Sequence, residues 1–302
     1  MRIGVDIGGT KIEAAALDRA GAVRLARRRP TPAGDYPATI AAIRALVLEL
    51  EAALGRRAPV GIGMPGVLSP ATGLVKNANS TCLNGHPFDR DLEAALERPL
   101  RFANDANCFA LSEATDGAAR GARVVFGAIL GTGVGGGIAI DGRPLLGANA
   151  IAGEWGHSPL PWPADDERPG APCYCGKTGC IETFLSGPGL ARSHAALSGE
   201  RAEGAALAAR AAAGEPAARR TLALYADRLA RSLATVINLL DPEAIVLGGG
   251  LGQIDFLYDH VPRLWQRHVF SDQVATRLLR PAWGDASGVR GAAWLWPPEA
   301  TP

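Results

Sequence analysis

The residues of this chain best suited to chemistry are His157, Cys173, Cys175 and Cys180. The segment Cys173-Tyr174-Cys175-Gly176-Lys177-Thr178-Gly179-Cys180 puts three thiols on one glycine-rich knuckle, and the glycines let the chain fold tightly enough for the sulfurs to face one point. Three thiolates and one imidazole make a closed tetrahedral set, the donor chemistry of a structural zinc rather than a catalytic one. The plainer alternative is a disulfide, or thiols grouped by chance, which a chain of cytosolic character disfavours. Cys82 and Cys108 are left over as ordinary, partly buried thiols. Pinning the knuckle to His157 should bring Glu154 and Glu182 close together, where two carboxylates could hold the hydroxyls of a polyol. Taken alone, each glutamate is more often a surface or salt-bridged residue.

A second chemistry lies in two glycine turns. Ile3 to Asp18 reads IGVDIGGTKIEAAALD and Phe126 to Asp141 reads FGAILGTGVGGGIAID, so that Gly4, Gly8 and Asp18 align without gaps on Gly127, Gly131 and Asp141. In both, a strand enters a tight turn and a second strand leaves it. Turns without side chains point bare N–H groups outward, and these suit phosphate oxygens. A single copy is most often just a hairpin turn; duplication in matching register favours a pair of phosphate cradles and a nucleotide-using enzyme. Lys11 is not a P-loop lysine, because the Walker spacing is missing and a strand follows. Asp105 completes the set: Asn104-Asp105 ends a short strand and precedes a helix, the place where polar residues of α/β sheets face a ligand cleft.

The elements that must position these groups follow from periodicity. Residues 2–7 and 12–17 read as a hairpin, Val60 to Met64 as a strand, and Pro37 to Leu54 as a helix with Ile40, Ile43, Leu46, Val47, Leu50 and Leu54 on one side. Leu100 to Ala103 is a short strand and Ala106 to about Ala119 a helix. Pro159 to Pro172 is a loop, Glu215 to Leu240 the longest helix, Ala244 to Leu247 a strand running into Gly248-Gly249-Gly250, and Ser287 to Leu295 a closing helix. The alternation predicts an α/β protein: a lobe over 1–120, joined by a C-terminal helix at about 287–302, and a second lobe over 121–286 carrying the knuckle.

At 302 residues the chain can bury one or two sizeable cores, and its 31 basic and 30 acidic residues create no field that favours nucleic acid or an anionic membrane. No run of 18 apolar residues spans a membrane, and Met1-Arg2 leads straight into a strand, so a cytoplasmic protein is expected.

Taken together, DIGGTK at 6–11, Gly131-Thr132-Gly133, Asn104-Asp105-Ala106-Asn107, Gly153-Glu154-x-Gly156-His157, the CxCGxxGCxE knuckle and Gly248-Gly249-Gly250 resemble the ROK sugar kinases from end to end. Lys76-Asn77-Ala78-Asn79-Ser80-Thr81, Leu83-Asn84-Gly85, Pro161-Trp162 and the ending Gly288 to Trp296 are similar to bacterial fructokinases of the manno(fructo)kinase type. The resemblance implies an actin-like ATPase (ribonuclease-H-like) fold, with two α/β lobes around a cleft. It implies Asp105 as the general base that takes the proton of a sugar's primary hydroxyl as it attacks the γ-phosphate of ATP. Asp6 would help hold Mg²⁺ through water. Gly8, Gly9, Thr10, Lys11, Gly131, Thr132 and Gly133 would cradle phosphates, and Gly249 and Gly250 would lie near the adenosine. Asn79, Asn104, Asp105, Glu154, His157 and Glu182 would hold the sugar, with Asn84 a further candidate. His157 would thus serve zinc with one ring nitrogen and sugar with the other.

Fructose, phosphorylated at its 6-hydroxyl, is the first expected substrate, with mannose beside it; N-acetylglucosamine and glucose are alternatives. Homodimers are common in the family. A sugar-responsive repressor of the same family, which carries a helix-turn-helix ahead of the sugar lobe, and a non-catalytic sugar-binding module are the readings from other classes. The second would leave Asp105 and both phosphate turns without a use.

Overall fold

The computed structural model describes residues 1–299; the last three residues of the expected closing segment, 300–302, lie outside the described residues. In chain order the first elements are β1 (Arg2–Ile7), β2 (Lys11–Leu17), β3 (Val23–Pro30), α1 (Tyr36–Leu54), β4 (Val60–Met64), β5 (Val67–Leu68), β6 (Val75–Lys76), α2 (Phe88–Leu96), β7 (Arg101–Asn104) and α3 (Asp105–Thr115). There follow β8 (Val124–Leu130), β9 (Val134–Ile140), β10 (Arg143–Pro144), α4 (Ile181–Leu185), α5 (Gly187–Ser198), α6 (Gly204–Ala212), α7 (Pro216–Leu240), β11 (Ala244–Gly248), α8 (Asp255–Trp265), β12 (Arg277–Leu279) and α9 (Ser287–Trp294).

One sheet has the strand order β3-β2-β1-β4-β7 and the other β10-β9-β8-β11-β12. The duplicated sequence therefore seeds the same plan twice: a hairpin strand, β1 or β8, with its partner on one side and a parallel strand, β4 or β11, on the other. In the register of the first hairpin Asp6 pairs with Glu13 and Ile7 with Ile12, leaving Gly8 to Thr10 as the turn, closed by Gly8 N donating to Lys11 O at 2.9 Å.

The described residues divide into two compact units, 1–121 with 137–152 and 285–299, and 122–136 with 153–284. The first has a core of β1, β2 and β4 residues such as Val5, Ile12 and Ile62 against Ile43, Leu46 and Leu50 of α1. Its α9 packs backbone to backbone. A methyl at Gly4 would come within 2.0 Å of Val289 O, one at Gly61 within 1.9 Å of Ala292 O, and one at Gly291 within 1.7 Å of Cys108 O. The second unit buries α7 through Leu222, Tyr225, Leu229 and Leu233, packed against α8, α6 and α5, and buries β11 through Ile245 and Leu247.

Two boundaries differ from the periodicity reading. Residues 137–152 belong with the first unit rather than the second, because Gly137 lies against the backbone of Ala106 and Ile138 N donates to Asn107 Oδ1 at 3.3 Å. Helix α3 stops at Thr115 rather than near Ala119: Asp116 N donates to Ser112 O at 3.1 Å and Ala119 N to Glu113 O at 3.0 Å, while the Glu113 carboxylate accepts from Ala118 N at 2.8 Å and turns the chain out of the helix.

Candidate functional site

The site candidates fall into one group per unit. In the first unit, Asp105 is the first residue of α3. Asn104 caps that helix, accepting from Ala106 N at 3.0 Å, and Asp105 Oδ1 accepts from the same N–H at 2.8 Å. A carboxylate in the first turn is favoured by the positive end of the helix. The capping Asn104 also donates through Nδ2 to Gly66 O at 3.2 Å. Gly66 has φ +70° and lies so close to the 76–78 segment that a methyl there would sit 2.4 Å from Lys76 O. The exposed Asn79 follows in that segment, so Asn79, Asn104 and Asp105 share one rigid corner.

Asn84 plays a different part from the one expected of it. Its amide is spent on the backbone, accepting from Ala78 N and donating to Ala78 O, both at 2.9 Å; it shapes the loop instead of facing a ligand.

Asp6 lies beneath the first glycine turn. Its Oδ1 and Oδ2 are near Gly63 and Gly288, where a methyl would come within 3.4 and 2.7 Å of them. Burial foremost, then the charges of Asp105 and Glu13, push the Asp6 carboxyl up to about 7, against a smaller opposing pull from Lys11. Asp6 beside the charge of Asp105 makes a good seat for a divalent cation, which would relieve the repulsion that helps raise the Asp6 carboxyl. Cys108, fully buried below them, is held as the neutral thiol by burial and by the same two charges. Gly9 is open: a methyl there meets nothing within 4 Å. Lys11 pairs with Glu13 at 3.4 Å, and Thr31 holds the turn by donating through Oγ1 to Gly8 O at 2.6 Å.

In the second unit the Gly131 turn is built into a cluster of loops. Gly131 N donates to Gly133 O at 3.0 Å, and Gly187 N, at the start of α5, donates to Gly131 O at 2.7 Å. Gly249, at φ +78°, lies against the end of β8, where a methyl would come within 2.4 Å of Leu130 O. Gly131, Gly249 and Gly250 are thus neighbours, and the N-terminus of α5 joins them. The sequence reading missed this helix end, although Ser186 followed by Pro188 is a start signal; Ser186 accepts from Gly189 N at 3.2 Å.

The Gly153–His157 segment is fixed on β9. Trp155 Nε1 donates to Gly135 O at 2.9 Å, its ring meets Phe126 edge-on at 5.5 Å, and Gly156 lies where a methyl would be 2.2 Å from Val134 O. Glu154 is exposed. Glu182 is already engaged through one oxygen, accepting from Val134 N at 2.9 Å, which ties α4 to the second glycine turn.

The metal-ligating group comes together fully. The donor atoms of His157, Cys173, Cys175 and Cys180 all lie within 4.8 Å of one another, and none of these cysteines is in a disulfide. His157 Nδ1 is 3.5 Å from Cys173 Sγ, and Cys175 Sγ is 3.6 Å from Cys180 Sγ. Zinc bond lengths of about 2.0–2.3 Å in a tetrahedron place ligand atoms roughly 3.5–3.8 Å apart, so the donor set fits that ion. Burial and the adjoining thiols push Cys180 up to about 12, a repulsion that a cation would remove. The other nitrogen, Nε2, is 3.0 Å from Tyr174 Oη. His157 thus turns one ring nitrogen to the thiols and the other to the exposed Tyr174, on the side where a sugar hydroxyl was expected.

Behind the knuckle lies a clamp that periodicity did not reveal. Within the expected 159–172 loop is a short 3-10 turn, Asp165–Glu167, and Glu167 accepts from Arg228 Nε at 2.7 Å and from Arg231 Nη2 at 2.9 Å on α7. Arg231 also donates to Pro161 O and Trp162 O.

A model of the ROK family matches residues 2–299. The chain is 39% identical over 299 residues to an N-acetyl-D-glucosamine kinase of Yersinia pseudotuberculosis serotype O:3 (strain YPIII), covering 98% of both chains. It is 40% identical over 297 residues to an N-acetylgalactosamine kinase of Shewanella sp. (strain ANA-3), covering 98% of this chain and 96% of that one. Among solved structures, a ROK hexokinase from Thermus thermophilus superposes with a TM-score of 0.85 at 30% identity over 97% of both chains. A ROK glucokinase from Streptomyces griseus, in complex with glucose and AMPPNP, superposes at 0.75 with 29% identity, again over 97% of both. The two hairpin-seeded sheets are those of the actin-like ATPase (ribonuclease-H-like) fold. The chain belongs to the ROK family, as one of its sugar kinases.

Proposed function

We propose that this protein is an ATP-dependent kinase that phosphorylates the primary 6-hydroxyl of an N-acetylhexosamine, N-acetylglucosamine foremost. The observation that carries the reading is the placement of Asp105 at the start of α3, close enough to Asp6 for its charge to raise that carboxyl. Fructose, the first expectation from the fructokinase-like segments, gives way to the acetylated sugars because kinases of N-acetylglucosamine and N-acetylgalactosamine are 39–40% identical to the chain along its whole length.

Asp105 accepts the proton of the 6-hydroxyl as that oxygen bonds to the γ-phosphorus of ATP; the bond from the γ-phosphorus to the β–γ bridging oxygen breaks and ADP leaves. Asp6, acting through water, would hold a Mg²⁺ that neutralises charge on the β- and γ-phosphates. Gly8, Gly9, Thr10 and Lys11, and in the second unit Gly131, Thr132 and Gly133, would form turns that cradle phosphate, the N–H groups of Gly8 and Gly131 being spent on closing those turns, with Gly249 and Gly250 beside adenosine. Asn79, Asn104, Glu154 and Glu182 hold ring hydroxyls. His157, Cys173, Cys175 and Cys180 hold a structural zinc that fixes the Glu154 and Glu182 loops.

Asp105→Asn tests the base. An amide cannot accept the proton, so kcat should fall by 10²-fold or more while nucleotide binding persists. Near-normal turnover would exclude the assignment. A panel of N-acetylglucosamine, N-acetylgalactosamine, glucose and fructose tests the sugar, with the highest kcat/KM expected for N-acetylglucosamine.

A further inference from the structure

Beside Asn104 the first unit holds a small cavity of about 80 Å³ that neither the base nor the phosphate turns use. Met64, Val67 and Leu68 from the β4–β5 turn, Phe102 from β7, and Leu146 and Ala150 from the loop after β10 supply its apolar lining. Asn104 is its polar residue. The loop is held over the cavity by specific bonds: Leu145 N donates to Ile138 O at 2.8 Å, Ala152 N to Leu146 O at 3.1 Å, and Lys76 Nζ to Asn149 O at 3.2 Å. Ala150 is held at φ +55°, a conformation that L side chains seldom adopt, so the loop keeps this shape at a cost. Leu146 is 42% exposed at the cavity's rim, with Leu145 and Ile151 also exposed nearby. Exposed leucine and isoleucine beside an apolar hollow gain from being covered by an apolar group.

The geometry points to this cavity as the seat of the substrate's N-acyl group, the feature that selects N-acetylated hexosamines over plain hexoses. The inference rests on the kinase reading above. About 80 Å³ gives room for a methyl and a carbonyl. The polar half of the group also has a partner. Asn104 Nδ2 donates one hydrogen to Gly66 O and a primary amide carries a second; that hydrogen goes to the acyl oxygen, while Oδ1, which accepts from Ala106 N, keeps a lone pair for a ring hydroxyl. A plain hexose offers a hydroxyl where the wall is apolar, and glucosamine offers an ammonium; both lose hydration there without full repayment. Discrimination by one apolar group of this size is typically about 10- to 200-fold.

The test is the ratio of kcat/KM values for N-acetylglucosamine, N-butanoylglucosamine and glucose in the intact protein and in two variants at Leu146. Leu146→Phe intrudes on the cavity and should lower the N-acetylglucosamine-to-glucose ratio at least tenfold. Leu146→Ala enlarges it and should raise the N-butanoyl-to-N-acetyl ratio at least tenfold, a gain that a misfolded variant cannot produce. A wild-type enzyme that favours N-acetylglucosamine, with both ratios within twofold of wild type in the variants, would place the acyl group elsewhere and overturn the inference while leaving the kinase reading intact. A wild-type preference for fructose or glucose would overturn the substrate reading itself, and this inference with it.

Discussion

Glu167→Gln removes the anion from the clamp that fastens the segment before the knuckle to α7. The Glu167 side chain is 2% exposed, and those of Arg228 and Arg231 are 9% and 6% exposed, so water cannot take over their pairing. Besides the two guanidinium groups, Glu167 Oε2 accepts from Ala164 N at 2.9 Å. Although burial opposes it, hydrogen bonding from Arg231, Arg228 and Ala164 brings the Glu167 carboxyl down from 4.5 to about 2. At about 1.4 kcal/mol per pH unit, that displacement corresponds to about 3 kcal/mol at neutral pH. Breaking a buried ion pair by removing one partner costs a similar amount, about 3–5 kcal/mol.

Thermal unfolding at pH 7 should therefore show the variant melting at least about 6 °C lower. The pH dependence has a definite sign. A carboxyl whose folded value is depressed contributes stability above its unfolded value, and loses it as pH falls through the folded one. The gap between wild type and variant should thus be full at pH 7, be smaller by about 1 kcal/mol at pH 4, and close towards pH 2. Asp165→Asn is the control. That side chain is 102% exposed and its Arg168 partner 60%, and such pairs contribute little. A Glu167→Gln midpoint within 2 °C of wild type, or a gap that does not narrow between pH 7 and pH 4, would refute the reasoning.

At Asp6 the sign is opposite: its carboxyl is raised from 3.8 to about 7, so the ionised form costs stability as pH rises between those values. Without added Mg²⁺ or nucleotide, Asp6→Asn should melt above wild type at pH 8, by less at pH 5, and be catalytically impaired; equal melting at both pH values would show that the repulsion is absent. Elemental analysis of protein purified without chelators should give about one zinc per chain, and Cys175→Ser should lose the metal and lower the melting temperature. Full zinc content in that variant would remove Cys175 from the ligand set.

What could be read from the sequence was whatever its own local chemistry encodes. The paired IGVDIGGTK and FGAILGTGV segments prescribe hairpins by turn and alternation, and they become β1–β2 and β8–β9. The cysteine knuckle is nearly a closed loop in itself, so its spacing alone brought three sulfurs together, and His157 joins them. Asn104-Asp105 carries its own capping signal and starts α3.

The rest depends on partners far along the chain. Val23–Pro30 reads VRLARRRP and has no apolar alternation; it is a strand because β2 offers it a free edge. Residues 137–152 follow the first unit because Gly137 and Asn107, thirty positions apart, meet at the start of α3. Asn84 looked like a ligand and is a loop brace, because only the folded loop brings Ala78 to its amide. Glu167 looked like one acid in a proline-rich loop; Arg228 and Arg231, more than sixty residues later, make it a clamp. Local pattern fixes the turns and the ligands within reach of one another along the chain. Which polar group is spent on structure, and which is left for a substrate, is settled by packing, since a buried donor or acceptor takes whatever partner the fold brings to it.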